Sequence, residues 1–226
     1  VTSNHTAYLH YTSNNTIAGT QFQLPPSTPH DVPLVCDASS DILSRPIDFS
    51  LHDLVYAGAQ KNLGPAGLTL VLIRRTLLDT APDSLPEILR YKTHAQAGSR
   101  YHTPPVFSIF VTELVLEWIE EQGGLRAIDE QNQAQAARLY QRIDDSEAFT
   151  GRVAPAARSV MNVVFSTATP DSDQRFLQNC HDAGIVGLKG HRSVGGLRAS
   201  LYNAQTHAAV DRLLEVMDAF EAETTG

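Results

Sequence analysis

The sequence predicts an α/β fold, with a partial, mostly parallel sheet over residues 1–120 and a small C-terminal α+β domain over 121–226. Three observations carry this. The runs "PLVCDASSD" (33–41), "DLVYAGA" (53–59) and "LTLVLIRR" (68–75) are nearly continuous in apolar residues, as strands buried on both faces are. Only about ten residues separate the last two runs, too few for a helical crossover, so they should form an antiparallel edge pair. Beyond residue 120, helix-period segments alternate with short strands. A chain of 226 residues can bury a sizeable core as one large domain or two modest ones.

The elements follow in order. Tyr8 to Tyr11 alternates as a short strand, and "SNNTIAG" (13–19) is turn chemistry. Residues 23–33 are a proline-rich loop. The three apolar runs follow. The polar, aperiodic segment 90–105 reads as a long functional loop. Thr103, Pro104 and Pro105 then start a helix over 106–124, which ends at a glycine pair. Its apolar Ile109, Val111, Leu114, Val115 and Trp118 share one broad face. Leu125 to Ile143 reads as a polar amphipathic helix with Glu130, Arg138 and Arg142 outside. Residues 159–167 are a strand, and 171–184 a capped helix closed by Gly184. "IVGLKG" (185–190) and "GLRASLY" (196–202) are short strands around a glycine-rich turn, and 204–223 is a terminal helix.

Composition narrows the function. The chain is 42% hydrophobic and 19% charged, with a net charge of −8. That balance disfavours a nucleic-acid or anionic-membrane surface but leaves room for a local basic pocket. Two distant cysteines, Cys36 and Cys180, form neither a disulfide framework nor a CxxC metal site; they read as buried thiols of the reducing cytoplasm. No apolar run reaches the ~20 residues of a membrane span, and no signal peptide opens the chain. A strand within a few residues of Val1 suggests that sequence upstream is absent.

The chemistry centres on "VYAGAQKNLGPAG" (55–67). Lys61 follows a strand, at the carboxyl edge where α/β sheets place ligands. Ala57, Gly58 and Ala59 before it leave room for a planar group, and the glycines behind it allow close backbone approach. A lysine that forms a Schiff base needs that setting. Asp37 ends the preceding strand, 24 residues earlier, where a carboxylate could hold the proton on a pyridine nitrogen. Taken alone, Lys61 reads as a solvated turn lysine and Asp37 as a turn cap; the pair on neighbouring strands is the stronger signal.

Four blocks, "HYTSNNTIAGTQF", "VCDASSDILSRPID", "YAGAQKNLGPAG" and "HRSVGGLRAS", resemble in order and spacing the phosphoserine aminotransferases, which are class V, fold-type I pyridoxal-phosphate enzymes. The resemblance implies a homodimeric enzyme with shared active sites. It would transfer an amino group from glutamate to 3-phosphohydroxypyruvate in serine biosynthesis, with pyridoxine biosynthesis as a second use. The small-molecule substrates would be glutamate and a phosphorylated oxo acid. It further implies Lys61 as the cofactor lysine and Asp37 as the ring-nitrogen partner. Thr16 would sit near the phenolic oxygen and Gln60 at the cofactor phosphate. His102 and Thr103 would reach that phosphate from the other subunit, with His102 replacing the family's usual asparagine. His191 and Arg192 would grip the substrate phosphate, and Arg198 its α-carboxylate as a bidentate fork.

The family is longer at its amino end, so the resemblance also implies a truncated chain that binds pyridoxal phosphate poorly and is inactive or nearly so. The alternatives are another fold-type I enzyme, such as an alanine–glyoxylate aminotransferase, or a fragment serving only dimerisation or folding. The His191–Arg192 pair disfavours the former, whose substrates carry no phosphate. The remaining histidines, His5, His10, His30, His52, His94, His181 and His207, show no metal-ligand spacing and read as structural. Arg74 and Arg75 read as a solvated strand end.

Overall fold

A computed structural model describes residues 6–29 and 31–225; His5 and His30 lie outside them. Its strands are β1 (Leu9–Thr12), β2 (Asn14–Asn15), β3 (Thr20–Gln21), β4 (Leu34–Asp37), β5 (Leu54–Gly58), β6 (Thr69–Ile73), β7 (Thr150–Gly151), β8 (Asn162–Ser166) and β9 (Leu197–Ser200). Its helices are α1 (Arg75–Leu78), α2 (Tyr91–Gln96), α3 (Val106–Glu121), α4 (Gly124–Asp144), α5 (Pro170–Asp182) and α6 (His207–Thr225). The chain divides into two compact units. The first comprises Val1–Ser13, Pro25–Ile42 and Ile47–Glu121; the second comprises Asn14–Leu24, Leu43–Pro46 and Gln122–Gly226. The short segments 14–24 and 43–46 thus belong with the later part of the chain, which a single linear boundary after residue 120 does not anticipate.

In the first unit the sheet order is β1-β4-β5-β6. β1 and β4 pair in parallel, as do β4 and β5, and β6 closes the edge antiparallel to β5. The expected mostly parallel sheet with an antiparallel edge pair is therefore present. Side chains alternate across the strands. One face carries the buried Leu34, Cys36, Val55 and Ala57. The other carries His10, Thr12, Val35, Asp37, Tyr56 and Gly58, all exposed or partly exposed.

α3 departs from the expected packing. Its buried positions are Ser108 and Ile119, whereas Ile109 and Leu114 are 44% and 45% exposed. The cause is the glycine turn beneath it: Ser108 donates to the Ala66 carbonyl, and a methyl added at Gly64 would sit 2.5 Å from Thr112 Oγ1. So close an approach admits only small residues of the helix at Ser108 and Thr112. The segment 90–105 is not wholly loop either. Arg90 Nε donates to the Leu85 carbonyl, the His94 ring bonds the Ile88 carbonyl at 2.8 Å, and α2 forms between these anchors. Arg74 is exposed at the end of β6, as expected, and in addition donates to Asp53 and to the carbonyls of Ser50 and His52.

In the second unit an antiparallel sheet, β7-β8-β9, packs with α4, α5 and α6 around one core. Phe149, Phe165, Phe176 and Phe220 meet there with centroids 5.0–6.3 Å apart, mostly edge to face. α5 starts as its sequence dictates: Thr169 accepts from the Ser172 amide, Pro170 takes the first turn, and Gly184 follows the end at φ +82°. Residues 185–190 form no strand; Lys189 makes one bridge to Leu197, because Gly187 at φ +82° breaks the ladder. Arg142, expected outside on α4, instead pairs with Asp218 and Glu221 on α6. The segment around Thr16 is locked in by a buried polar network. Asn14 donates to Asn162, the Ser159 hydroxyl bonds Asn14, and Gln21 accepts from the Val160 amide.

Candidate active site

Asp37 is the last residue of β4, and its Oδ1 accepts from the Ser39 amide at 2.9 Å. Ser39 Oγ in turn accepts from the Gly58 amide at 3.0 Å, joining the carboxylate's turn to the end of β5. Tyr56 stands opposite Asp37 in the parallel register, and Gly58 follows on the same face. Three residues after Gly58 comes Lys61, partly buried on a tight turn in which the Leu63 and Gly64 amides both return to the Ala59 carbonyl, at 3.1 and 2.8 Å. The Asn62 amide group donates to the Ile42 carbonyl at 3.2 Å, tying the lysine's turn to the loop that leaves Asp37. The structure therefore brings Asp37 and Lys61 to the carboxyl ends of adjacent parallel strands, on turns bonded to each other.

Gln60 folds its side chain over Gly58. A methyl added at that glycine would sit 2.7 Å from Gln60 Oε1, so the absent side chain is what makes room. Ala57 and Ala59 are fully buried and add no bulk. A carboxylate and a lysine on turns bonded to each other supply the chemistry that a flat pyridine ring needs in order to be held. His102 and Thr103 lie in the exposed stretch ahead of α3, where the His102 ring meets His94 edge-on at 6.0 Å.

The second unit gathers the predicted anion ligands. Arg198 on β9 donates from Nη1 to the Thr16 carbonyl at 3.0 Å, which brings these two residues together. Its Nε is buried and has no partner among the described residues. A buried guanidinium nitrogen left unpaired is costly and suits an anionic ligand. On the turn before β9, the Ser193 amide donates to His191 Nδ1 at 3.2 Å, and the Ser193 hydroxyl lies 2.7 Å from the same nitrogen. With Nδ1 accepting a backbone N–H, the neutral ring carries its proton on Nε2, ready to donate. The Val194 and Gly195 amides both close on the His191 carbonyl, and Arg192 is exposed beside them.

Arg152 is a residue the sequence reading missed. It donates from Nη1 to the Val194 carbonyl at 2.7 Å and lies so close to Gly196 that a methyl there would sit 2.7 Å from Nη2. It pins the turn that carries His191 and Arg192. The signal was the glycine pair at 195–196, but nothing in the sequence said what approaches it. A separate cavity of about 300 Å³, lined by residues including Phe49, His52, Leu72 and Arg74, lies at the amino end of β5, away from Lys61. No group of three or more His, Cys, Asp or Glu suited to a metal occurs among the described residues.

The Aminotransferase class-V family matches residues 1–213. The phosphoserine aminotransferase of Bacillus cereus (strain ATCC 10987 / NRS 248) is 51% identical over 218 residues, covering 96% of this chain and 60% of that protein. That of Pseudomonas entomophila is 51% identical over 221 residues, covering 98% and 61%. The solved phosphoserine aminotransferase of Bacillus circulans subsp. alkalophilus superposes with a TM-score of 0.95 at 46% identity, over 99% of this chain and 62% of that one. A pyridoxal-phosphate-bound phosphoserine aminotransferase from Trichomonas vaginalis superposes with a TM-score of 0.91 at 38% identity, over 96% and 62%. An alanine–glyoxylate aminotransferase from Nostoc, at 16% identity and a TM-score of 0.77, shares the fold. The chain spans about 60% of the length of the curated relatives it matches. With that family matching most of its length, the chain belongs to the class-V aminotransferases.

Proposed function

We propose that the protein is a phosphoserine aminotransferase, exchanging an amino group between glutamate and 3-phosphohydroxypyruvate with pyridoxal phosphate as cofactor. The observation that carries this reading is the pairing of Lys61 and Asp37 at the ends of adjacent parallel strands, in a chain about half identical to enzymes of that name. The cofactor, when bound, supplies the electron sink for the substrate's Cα.

The chain's own residues do the rest. Lys61 would hold the cofactor through Nζ, an amine that could also take a proton from the substrate's Cα and return it. Asp37 holds the proton on the ring nitrogen, with its carboxylate oriented by the Ser39 amide. Thr16 would sit near the cofactor's phenolic oxygen, and Gln60 would help hold its phosphate. His102 and Thr103 reach the phosphate from a second copy of the chain in a homodimer. His191 and Arg192 bind the phosphate of the substrate, and Arg198 its carboxylate, for which its unpaired Nε is the support. The same specificity for a phosphorylated oxo acid admits a related step in pyridoxine biosynthesis. Two free thiols, Cys36 and Cys180, support a cytoplasmic setting.

The test is covalent. At saturating pyridoxal phosphate, borohydride should fix one cofactor on the peptide bearing Lys61, and Lys61→Ala should take none. Half-reaction rates should favour the phosphorylated over the unphosphorylated oxo acid, and Arg192→Ala should erase that preference. Labelling elsewhere than Lys61, or equal rates with both oxo acids, would overturn the proposal.

A further inference from the structure

Asp37 does not stand alone on its face of the sheet. Tyr56 is its register partner on β5, and Thr12 is its partner on β1. The Tyr56 hydroxyl lies 3.0 Å from His10 Nε2, and the two rings stack with centroids 6.0 Å apart at 27°. His10, Tyr56 and Asp37 thus run across three neighbouring strands of one sheet, each side chain on the same open face.

We infer that Tyr56 is a positioning residue for Asp37, its hydroxyl donating to the carboxylate while His10 Nε2–H donates to the phenolic oxygen and fixes the direction of that bond. This rests on the reading of Asp37 as the ring-nitrogen partner. It extends that reading from one carboxylate to a three-residue relay, of which two members read as structural or unremarkable in the sequence. The Ser39 amide holds one carboxylate oxygen. Tyr56 acts on the carboxylate from the flank, on the adjacent strand.

The groups that act on the Tyr56 hydroxyl come from several elements. Asp37 stands beside it on β4, Tyr91 acts from α2 and Cys36 from the other face of β4, and His10 bonds it from β1. Burial first, and then the charge and hydrogen bonding of Asp37, hold the phenol above its ordinary range. The arrangement serves the aspartate: a phenol kept protonated remains a donor throughout the working pH range.

Two measurements decide it. Without cofactor, carbon-13 tyrosine NMR follows the ionisation of Tyr56, its signal assigned by its loss in Tyr56→Phe. Asp37→Asn should lower the pH of that ionisation, and an unmoved midpoint would overturn the relay. With pyridoxal phosphate, Tyr56→Phe should weaken binding about tenfold, the size of one charge-assisted bond. It should also shift the pH profile of the bound cofactor's visible band. His10→Leu should give a smaller loss in the same direction, and His10→Gln, which keeps a donor, should restore it. Affinity and spectrum unchanged in Tyr56→Phe, with native circular dichroism, would refute the inference. Should the wild-type chain take up no cofactor, the function proposed above fails, while the NMR measurement still decides the relay.

Discussion

Glu221 on α6 offers a quantitative test of what holds the second unit together. Its Oε1 accepts from the Ser146 hydroxyl at 2.5 Å and from the amides of Glu147 and Ala148 at 2.7 and 3.0 Å, and its Oε2 accepts from Arg142 Nη2 at 2.6 Å. These donors, the Ser146 hydroxyl foremost, pull the carboxyl from an ordinary 4.5 down to about 2. That gap corresponds to at most ~3.4 kcal/mol of folding free energy. The side chain is 21% exposed, so water screens part of it, and ~1.5–2 kcal/mol is the reasonable share. Because the folded state depresses the pKa, the contribution is complete above 4.5 and disappears as the pH falls through about 2. Urea denaturation by circular dichroism, with hydrogen exchange of β8 amides assigning the transition to this unit, measures it. Glu221→Gln should lose ~1.5–2 kcal/mol at pH 7 and nearly nothing near pH 2. A wild-type advantage that stays constant from pH 6 down to pH 2 would show that the pairing lacks the electrostatic character assigned to it.

Two further outcomes follow from single residues. Gly196 sits at φ +70°, and a methyl there would lie 2.7 Å from Arg152 Nη2 and 2.8 Å from the Phe165 carbonyl. Gly196→Ala combines left-handed strain of ~1 kcal/mol or more with that clash. It should cost more than ~2 kcal/mol in urea denaturation and weaken inorganic phosphate binding; an unaffected melt would refute the close approach. Burial pushes the Cys180 thiol up to about 12 and also raises Cys36, where a hydrogen bond from Tyr11 partly opposes it. Neither should react with a disulfide reagent at pH 8 in the folded protein, and both should react in denaturant. Rapid labelling of Cys180 in the native state would contradict its burial.

Much of the architecture was legible in the residues because the relevant forces are local or periodic. The buried strands announced themselves as apolar runs, and the short link from 59 to 68 forced the antiparallel edge. The closing Gly184 marked the end of α5. What escaped was set by partners remote in sequence. The packed stripe of α3 is chosen by a glycine turn some forty residues upstream, which favours Ser108 and Thr112 over larger neighbours. Arg142 points inward because Asp218 and Glu221 wait on α6, more than seventy residues later. In the candidate site, Lys61 and Asp37 were readable from strand ends and small neighbours. Arg152 and the His10–Tyr56 contact depend on register between strands, which no single stretch encodes.

The segment 14–24 has a consequence for how the molecule can be divided. Asn14, Gln21 and the Gly19 carbonyl supply bonds to Asn162, Val160 and Ser159, partners more than a hundred positions away. A piece cut to residues 122–226 would keep its helices and phenylalanines yet leave those groups facing nothing. The later unit is therefore no detachable module. It comes to completion only with a ribbon synthesised more than a hundred residues earlier, which must wait with its polar groups unpaired until that unit emerges.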